Sequence, residues 1–347
     1  KGKNLDLYFM KKQFKTLIVT SLILVYLVIA AGSVVRMTGS GMGCPDWPKC
    51  FGYLIPPTER NQLDWKSNHQ YHEGEVIILN ESLRVASSDF TSQDTYQPKN
   101  WEAYTKHHYA IFNATHTWIE FINRLLGVFA GLATLLLFIS SLWRIKTDPT
   151  STLLSFLVIL GMGFQGWLGK TVVDSNLLPF KITLHMVMAL LLVLVLVILL
   201  AREKQSETFL KNTSRLQKVL GVGLILTLVQ IGMGTQVRQF VDEQMHFFNL
   251  EQASSWLADA PILFYFHRSF SLLVLLVHGY LGYLLFQNKT IPTVFIVILS
   301  LLGVEILSGI WMYYFDFPFS SQPLHLVLAS LLFGAQSYFM LTLKKQL

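Results

Sequence analysis

Eight runs of about twenty apolar residues constrain this chain more than any other feature of its sequence. A segment of that length spans a hydrocarbon core as a helix, because a helix satisfies its own backbone polar groups where no water can. The runs cover about residues 14–35, 117–142, 152–173, 182–201, 219–237, 261–286, 291–311 and 323–343. With 52% of residues hydrophobic and 14% charged, the composition excludes an ordinary soluble domain. The first run is long and is followed by no small-residue cleavage site, so it reads as a retained span, not a cleaved signal peptide. The net charge of +6 does not point to nucleic acid, since the basic residues fall in loops beside the spans. The expected fold is an all-α membrane protein of eight transmembrane helices.

An even number of spans puts both termini on one side. The loops on that side carry Lys1, Lys3, Lys11 and Lys12, then Arg144 and Lys146, then the 202–218 linker with five basic residues, then Lys344 and Lys345. By the positive-inside rule, both termini are expected in the cytoplasm. The long polar loop at 37–116 then lies outside, in an oxidising compartment if the membrane is bacterial, where Cys44 and Cys50 can pair as a disulfide. A reduced pair with only a packing role is the plainer alternative.

The chain contains an internal repeat. Leu184-His185-Met186-Val187-Met188-Ala189 aligns with Leu324-His325-Leu326-Val327-Leu328-Ala329, and at the same offset Gln165 meets Glu305 and Gly169 meets Gly309. Asn123-Arg124 aligns with His267-Arg268, and Arg36 with Arg238. The expectation is therefore two pseudo-symmetric parallel four-helix bundles. Residues 1–201 form one half, 202–218 a cytoplasmic linker and 219–347 the other half.

His185, His267 and His325 lie one or two turns inside the outer ends of apolar helices. Ionisable groups there are costly to bury and mark functional sites. His267 and His325, on two helices of one half, are placed to ligate the iron of a haem from both sides. Two separately hydrogen-bonded core histidines are the bland reading. The first half offers His185 but has Asn123 where its copy has His267, which implies a more open site. His116, Glu120 and Asn123 share one helix face, and His116 is a possible replacement ligand. Glu120 reads as a proton acceptor or donor, or as an anion stabilising developing positive charge; the bland reading pairs it with Arg124. Arg36, Arg124, Arg238 and Arg268, at outer helix ends, suit haem propionates or simple interfacial anchoring. His278, three turns below His267, reads as structural. His69, His72, His107, His108 and His246 read as loop residues with no compact metal-site spacing. Gly161, Gly163, Gly166 and Gly169 allow close helix approach, within the chain or in a homo-oligomer.

These residues together resemble the haem A synthase family. The resemblance rests on Thr38-Gly39-Ser40-Gly41 after the first span, on Cys44 and Cys50 with Asp46-Trp47-Pro48 between, and on Glu120-Phe121-Ile122-Asn123-Arg124. It rests also on Gln165 and Gly169, and on the histidines of the fourth, sixth and eighth helices. It covers most of the chain outside the 51–115 insertion. It implies oxidation of a methyl group of haem O to a formyl group, giving haem A for cytochrome oxidase. It implies a haem b cofactor held by His267 and His325, haem O as the lipophilic substrate with His185 and a helix-2 residue as ligands, Glu120 as the catalytic carboxylate, and the Cys44–Cys50 disulfide. Partners implied are haem O synthase, cytochrome oxidase assembly factors and an electron-transfer partner, in a bacterial inner membrane. The chain departs from the family at Asn123, where many members have histidine, and it lacks a second cysteine pair in the 238–260 loop. The competing readings are a di-haem membrane electron carrier and a haem transporter or chaperone. The former needs two closed sites; the latter has no need of Glu120.

Overall fold

The computed structural model describes residues 2–105, 111–175, 177–203, 208–210, 213–248 and 250–345. Among these residues, eight helices are long and apolar enough to cross a membrane. They are α1 (Gly2–Met37), α2 (Ala114–Leu142), α3 (Pro149–Asp174), α4 (Pro179–Arg202), α5 (Thr213–Phe248), α6 (Ile262–Gln287), α7 (Thr293–Tyr314) and α8 (Ser321–Thr342).

Local chemistry sets the helix boundaries. Asn113 precedes α2 and its side-chain oxygen accepts the amide of His116 at 3.2 Å, which satisfies one of the exposed amides of the first turn. Proline opens α3 and α4, where its missing amide costs nothing. Arg36 and Arg202 lie in the last turns of α1 and α4, where a cation complements the helix dipole.

Helix α5 departs most from expectation. The apolar run stops near residue 237, yet the helix continues to Phe248 and carries His246 with it, so His246 is helical and not a loop residue. Pairs spaced one turn apart sustain the extension: Arg238 with Asp242 at 2.7 Å, and the Gln239 amide on the Glu243 carboxylate at 3.2 Å.

The chain divides into two compact units, one made of residues 1–30, 130–163 and 186–347, the other of residues 31–129 and 164–185. The first unit has two apolar cores. One gathers Phe14, Ile18, Leu137, Val158, Val193 and Leu196; the other gathers Leu220, Leu281, Leu285, Phe295, Ile298 and Phe339. Gly161 lets α4 approach α3 closely, since a Cβ there would meet Leu192 at 2.8 Å. Ion pairs tie the α2–α3 turn to the end of α4: Arg144 to Glu203 at 2.6 Å, and Arg202 to Asp148 at 2.8 Å.

The second unit holds the ends of α1–α4 that adjoin the long loop, and a small β module within that loop. The sequence gives little warning of this module, because its strands are short. β1 (Gln70–Tyr71) pairs with β4 (Phe90–Thr91), and β2 (Val76–Leu79), β3 (Ser82–Ala86) and β5 (Trp101–Ala103) form an antiparallel sheet. Asn80 and Glu81 make the tight β2–β3 turn with φ of 50° and 55°, the left-handed pair that such a hairpin needs. Tyr71, Phe90 and Trp101 pack edge-on or stacked beneath it. A last pair, β6 (Thr208–Leu210) and β7 (Leu343–Lys345), is parallel and belongs to the first unit.

Candidate functional site

Two sets of polar residues lie on apolar helices, and each is complete within one compact unit. The set on α5–α8 brings His267 and His325 together. Their ring centres are 6.4 Å apart and their planes cross at 76°. A metal–imidazole bond is about 2 Å and the ring centre lies roughly 1 Å farther back, so two imidazoles on opposite sides of one iron stand about 6 Å apart. The observed separation therefore fits a porphyrin iron between them.

Glycines make room for both rings. A Cβ on Gly234 of α5 would come within 3.1 Å of His267 Cε1, and one on Gly309 of α7 within 3.5 Å of His325 Cε1. The Gln230 side-chain amide donates to the His267 carbonyl at 2.8 Å. Ser308 Oγ donates to the Glu305 carbonyl and lies 2.8 Å from His325 Nδ1, where it can accept the ring proton and leave Nε2 as the coordinating nitrogen. The Glu305 carboxylate is 3.3 Å from His325 Nε2. Among the described residues, buried His267 Nδ1 and Glu305 Oε2 find no hydrogen-bond partner, a cost that a bound polar or metal-containing group would offset.

The set on α1–α4 repeats this plan with changed side chains. Asn123 takes the place of His267, and its buried Oδ1 finds no hydrogen-bond partner among the described residues. It faces Gly32 of α1, whose Cβ would lie 3.8 Å away. His185 faces Gly169 of α3, at 3.5 Å from a Cβ there. Gln165 takes the place of Glu305 and donates to the His185 carbonyl at 3.0 Å, with His185 Nδ1 at 3.3 Å.

Glu120 is 4% exposed and is held rigidly. Its Oε2 accepts the Cys44 amide at 2.8 Å, and its Oε1 accepts from Arg124 at 2.5 Å. The ion pair with Arg124 that the bland reading of Glu120 expects is present. Arg124 also donates to the Asp46 carbonyl at 2.7 Å, the Lys49 carbonyl at 2.9 Å and the Cys44 carbonyl at 3.3 Å. Its guanidinium is therefore committed to the 44–49 loop. Cys44 and Cys50 form a disulfide that closes this loop. Within the loop, Asp46 accepts the amides of Phe51 at 2.5 Å and Gly52 at 2.8 Å. Burial pushes the Asp46 carboxyl up, and those amides and Arg124 oppose the shift.

The remaining residues singled out in the sequence are placed as follows. His116 is in the first turn of α2, half-buried, and its backbone abuts Gly43. Arg36 ends α1. Arg238 pairs with Asp242, and Arg268 lies over the rings of Phe264, Tyr265 and Tyr313 at 5.5–5.9 Å. His72 faces Asp89 at 3.5 Å and His69 packs on Tyr71. His107 and His108 lie outside the described residues. Sequence reasoning missed Gln230, Gly234, Ser308 and Gly32. Gln230 is the one of these with a usable signal, an amide in an apolar run one turn before a glycine.

The model of the COX15-CtaA family, cytochrome oxidase assembly protein, matches residues 15–90 and 86–337. Among characterised relatives, the heme A synthase of Wolbachia pipientis wMel is 25% identical over 350 residues, which cover 93% of this chain and 91% of the relative. The heme A synthase of Ehrlichia canis is 22% identical over 341 residues, 90% of this chain and 88% of the relative. That of Shewanella oneidensis is 26% identical over 220 residues, 63% of this chain and 54% of the relative.

Proposed function

This chain belongs to the COX15-CtaA family of cytochrome oxidase assembly proteins, and on that premise we propose that it oxidises a methyl group of haem O to a formyl group, giving haem A. It is a multi-pass membrane enzyme. The observation that carries the reading is the contrast between the two polar sets. One has two imidazoles at a separation that suits a closed, six-coordinate iron. The other has one imidazole, an asparagine and a buried carboxylate, which suits a porphyrin that must be altered and released.

In this reading His267 and His325 hold haem b, which supplies one-electron redox capacity when bound. Ser308 and Gln230 fix the orientation of the two ligand residues. Arg238 and Arg268 serve the outer edge of that site. Residues 219–347 form the cofactor half, 202–218 the linker and 1–201 the substrate half. There His185 ligates the iron of haem O, Asn123 and His116 lie on the α2 side, and Arg36 neutralises a propionate. Glu120, locked between Arg124 and the Cys44 amide, is a preorganised anion near which positive charge develops as the methyl carbon is oxidised. Oxidation to the formyl is a four-electron change at one carbon in two stages, the electron pairs passing to dioxygen or to the electron-transfer partner, with water or dioxygen as the source of the oxygen atom. The protein lies in a bacterial inner membrane with both termini cytoplasmic. Its partners are haem O synthase, cytochrome oxidase assembly factors and an electron-transfer partner, and the small-residue face of α3 is compatible with a homo-oligomer.

The test is expression with a haem O supply, followed by chromatography and mass analysis of extracted haems. Hydroxylated haem and haem A are expected from the unmodified protein, and only haem O from Glu120→Ala. Unaltered haem O in the unmodified protein, with its redox partner supplied, refutes the enzyme.

A further inference from the structure

Below the His267–His325 level, the same three helices carry a second, closed polar level. His278 on α6, Gln336 on α8 and Gly223 on α5 each lie eleven residues from His267, His325 and Gly234 respectively. Eleven residues is three helical turns, about 16 Å, so each returns to the same face of its helix. The side chains meet as this register requires. The Gln336 side-chain nitrogen lies 2.9 Å from both Thr227 Oγ1 and His278 Nε2. His278 Nδ1 donates to the Val274 carbonyl at 2.8 Å, so Nε2 is free to accept from Gln336. A Cβ on Gly223 would come within 3.0 Å of the His278 ring, as one on Gly234 would at His267. His278, Gln336 and Thr227 are 1%, 0% and 3% exposed. The direct His278–Gln336 bond leaves no room for a planar ligand, so this level binds the helices to one another.

The repeat partners of these residues are Ser21, Val25, Thr134 and Leu196, which offer no such bridge. The polar level therefore belongs to the half assigned a permanent cofactor. Metal ligation tolerates about 0.2 Å of error, whereas a slip of one residue moves a helix by about 1.5 Å. In lipid, helices associate through close packing at small residues and through interhelical hydrogen bonds, and a buried bonded pair can be made in one register only.

We propose that His278, with Gln336 and Thr227, is a positioning residue that locks the register of α5, α6 and α8 and so holds His267 and His325 at ligating distance for the haem b assigned above. It rests on that assignment. The test uses the full-length, haem-loaded protein and reads the low-spin electron paramagnetic resonance signal, the haem midpoint potential and haem retention. His278→Leu and Gln336→Leu should shift the signal and the potential and weaken haem b binding about tenfold, the low end for residues behind a metal ligand. His278→Gln, which keeps a polar partner for Gln336, should retain the wild-type signal. Unchanged signal and potential in His278→Leu, even with a lowered melting temperature, overturn the proposal. If the leucine variants fail to fold, Thr227→Val removes one arm only, and an unshifted signal there overturns it equally. A wild-type protein with no bis-imidazole signal refutes the cofactor assignment itself.

Discussion

The α1–α4 and α5–α8 polar sets share a plan and differ in what they leave open. In both, the α4-type histidine faces a glycine at 3.5 Å and a Gln or Glu reaches it from the preceding helix. In both, the α2-type position faces a glycine on the first helix of its half. There the likeness ends. Asn123 has slack against Gly32, at 3.8 Å, where His267 is tight against Gly234, at 3.1 Å. Leu168 stands where Ser308 braces His325, and Val28 where Gln230 holds His267. Gln165 still holds His185, so the two sets differ at the α2-type position and at the positions of Ser308 and Gln230. The first set also holds a buried carboxylate, Glu120, bonded to the disulfide-closed loop.

The sharpest way to break this comparison is to remove histidines one half at a time. His267→Ala or His325→Ala should abolish the low-spin b-type optical spectrum; His185→Ala should leave it intact while haem A formation is lost. The outer arginines give the next largest contrast. Arg124→Gln strands the buried Glu120 and should destabilise the outer loop by about 3–5 kcal/mol, read as loss of protease resistance in the 44–52 segment. Arg268→Gln removes the contacts with the rings of Phe264, Tyr265 and Tyr313 and should cost about 1 kcal/mol of stability, with a small loss of haem b retention. Glycine substitution follows. Gly234→Ala forces a methyl against the His267 ring and should weaken haem b retention about tenfold, while Gly32→Ala should leave haem O titrations unchanged. A smaller gain is expected for Asn123→His, which makes the α2-type position the same in both halves. Bound haem O should turn low-spin and dissociate a few-fold more slowly, a change of under about 1 kcal/mol. Unaltered dissociation would show that position 123 does not reach the substrate.

The spans were legible because twenty apolar residues have one physical outcome in lipid, and seven of the eight helices end close to where the apolar runs do. The extension of α5 was not, because Arg238–Asp242 and Gln239–Glu243 support a polar helix by pairing, and hydropathy does not register pairing. The β module escaped for a similar reason: strands of two to five residues are too short for alternation to stand out. In the polar sets the histidines were conspicuous against apolar neighbours. Gly32 and Gly234 were not, since glycine is common in membrane helices and only the facing ring reveals its use. That Glu120 reaches the Cys44 amide is tertiary information, joining residues 76 positions apart.

The β module has a consequence for protein engineering. Its entry is pinned by the Cys50–Tyr53 bridge and the Val76 amide on the Phe51 carbonyl, and its exit by the Tyr104 hydroxyl on the Pro45 carbonyl. An excursion stapled at its own base can be lengthened, trimmed or exchanged without pulling on the stem. The hairpin tip at Asn80–Glu81 is thus a natural graft point for a reporter or affinity handle, one that leaves the membrane helices untouched.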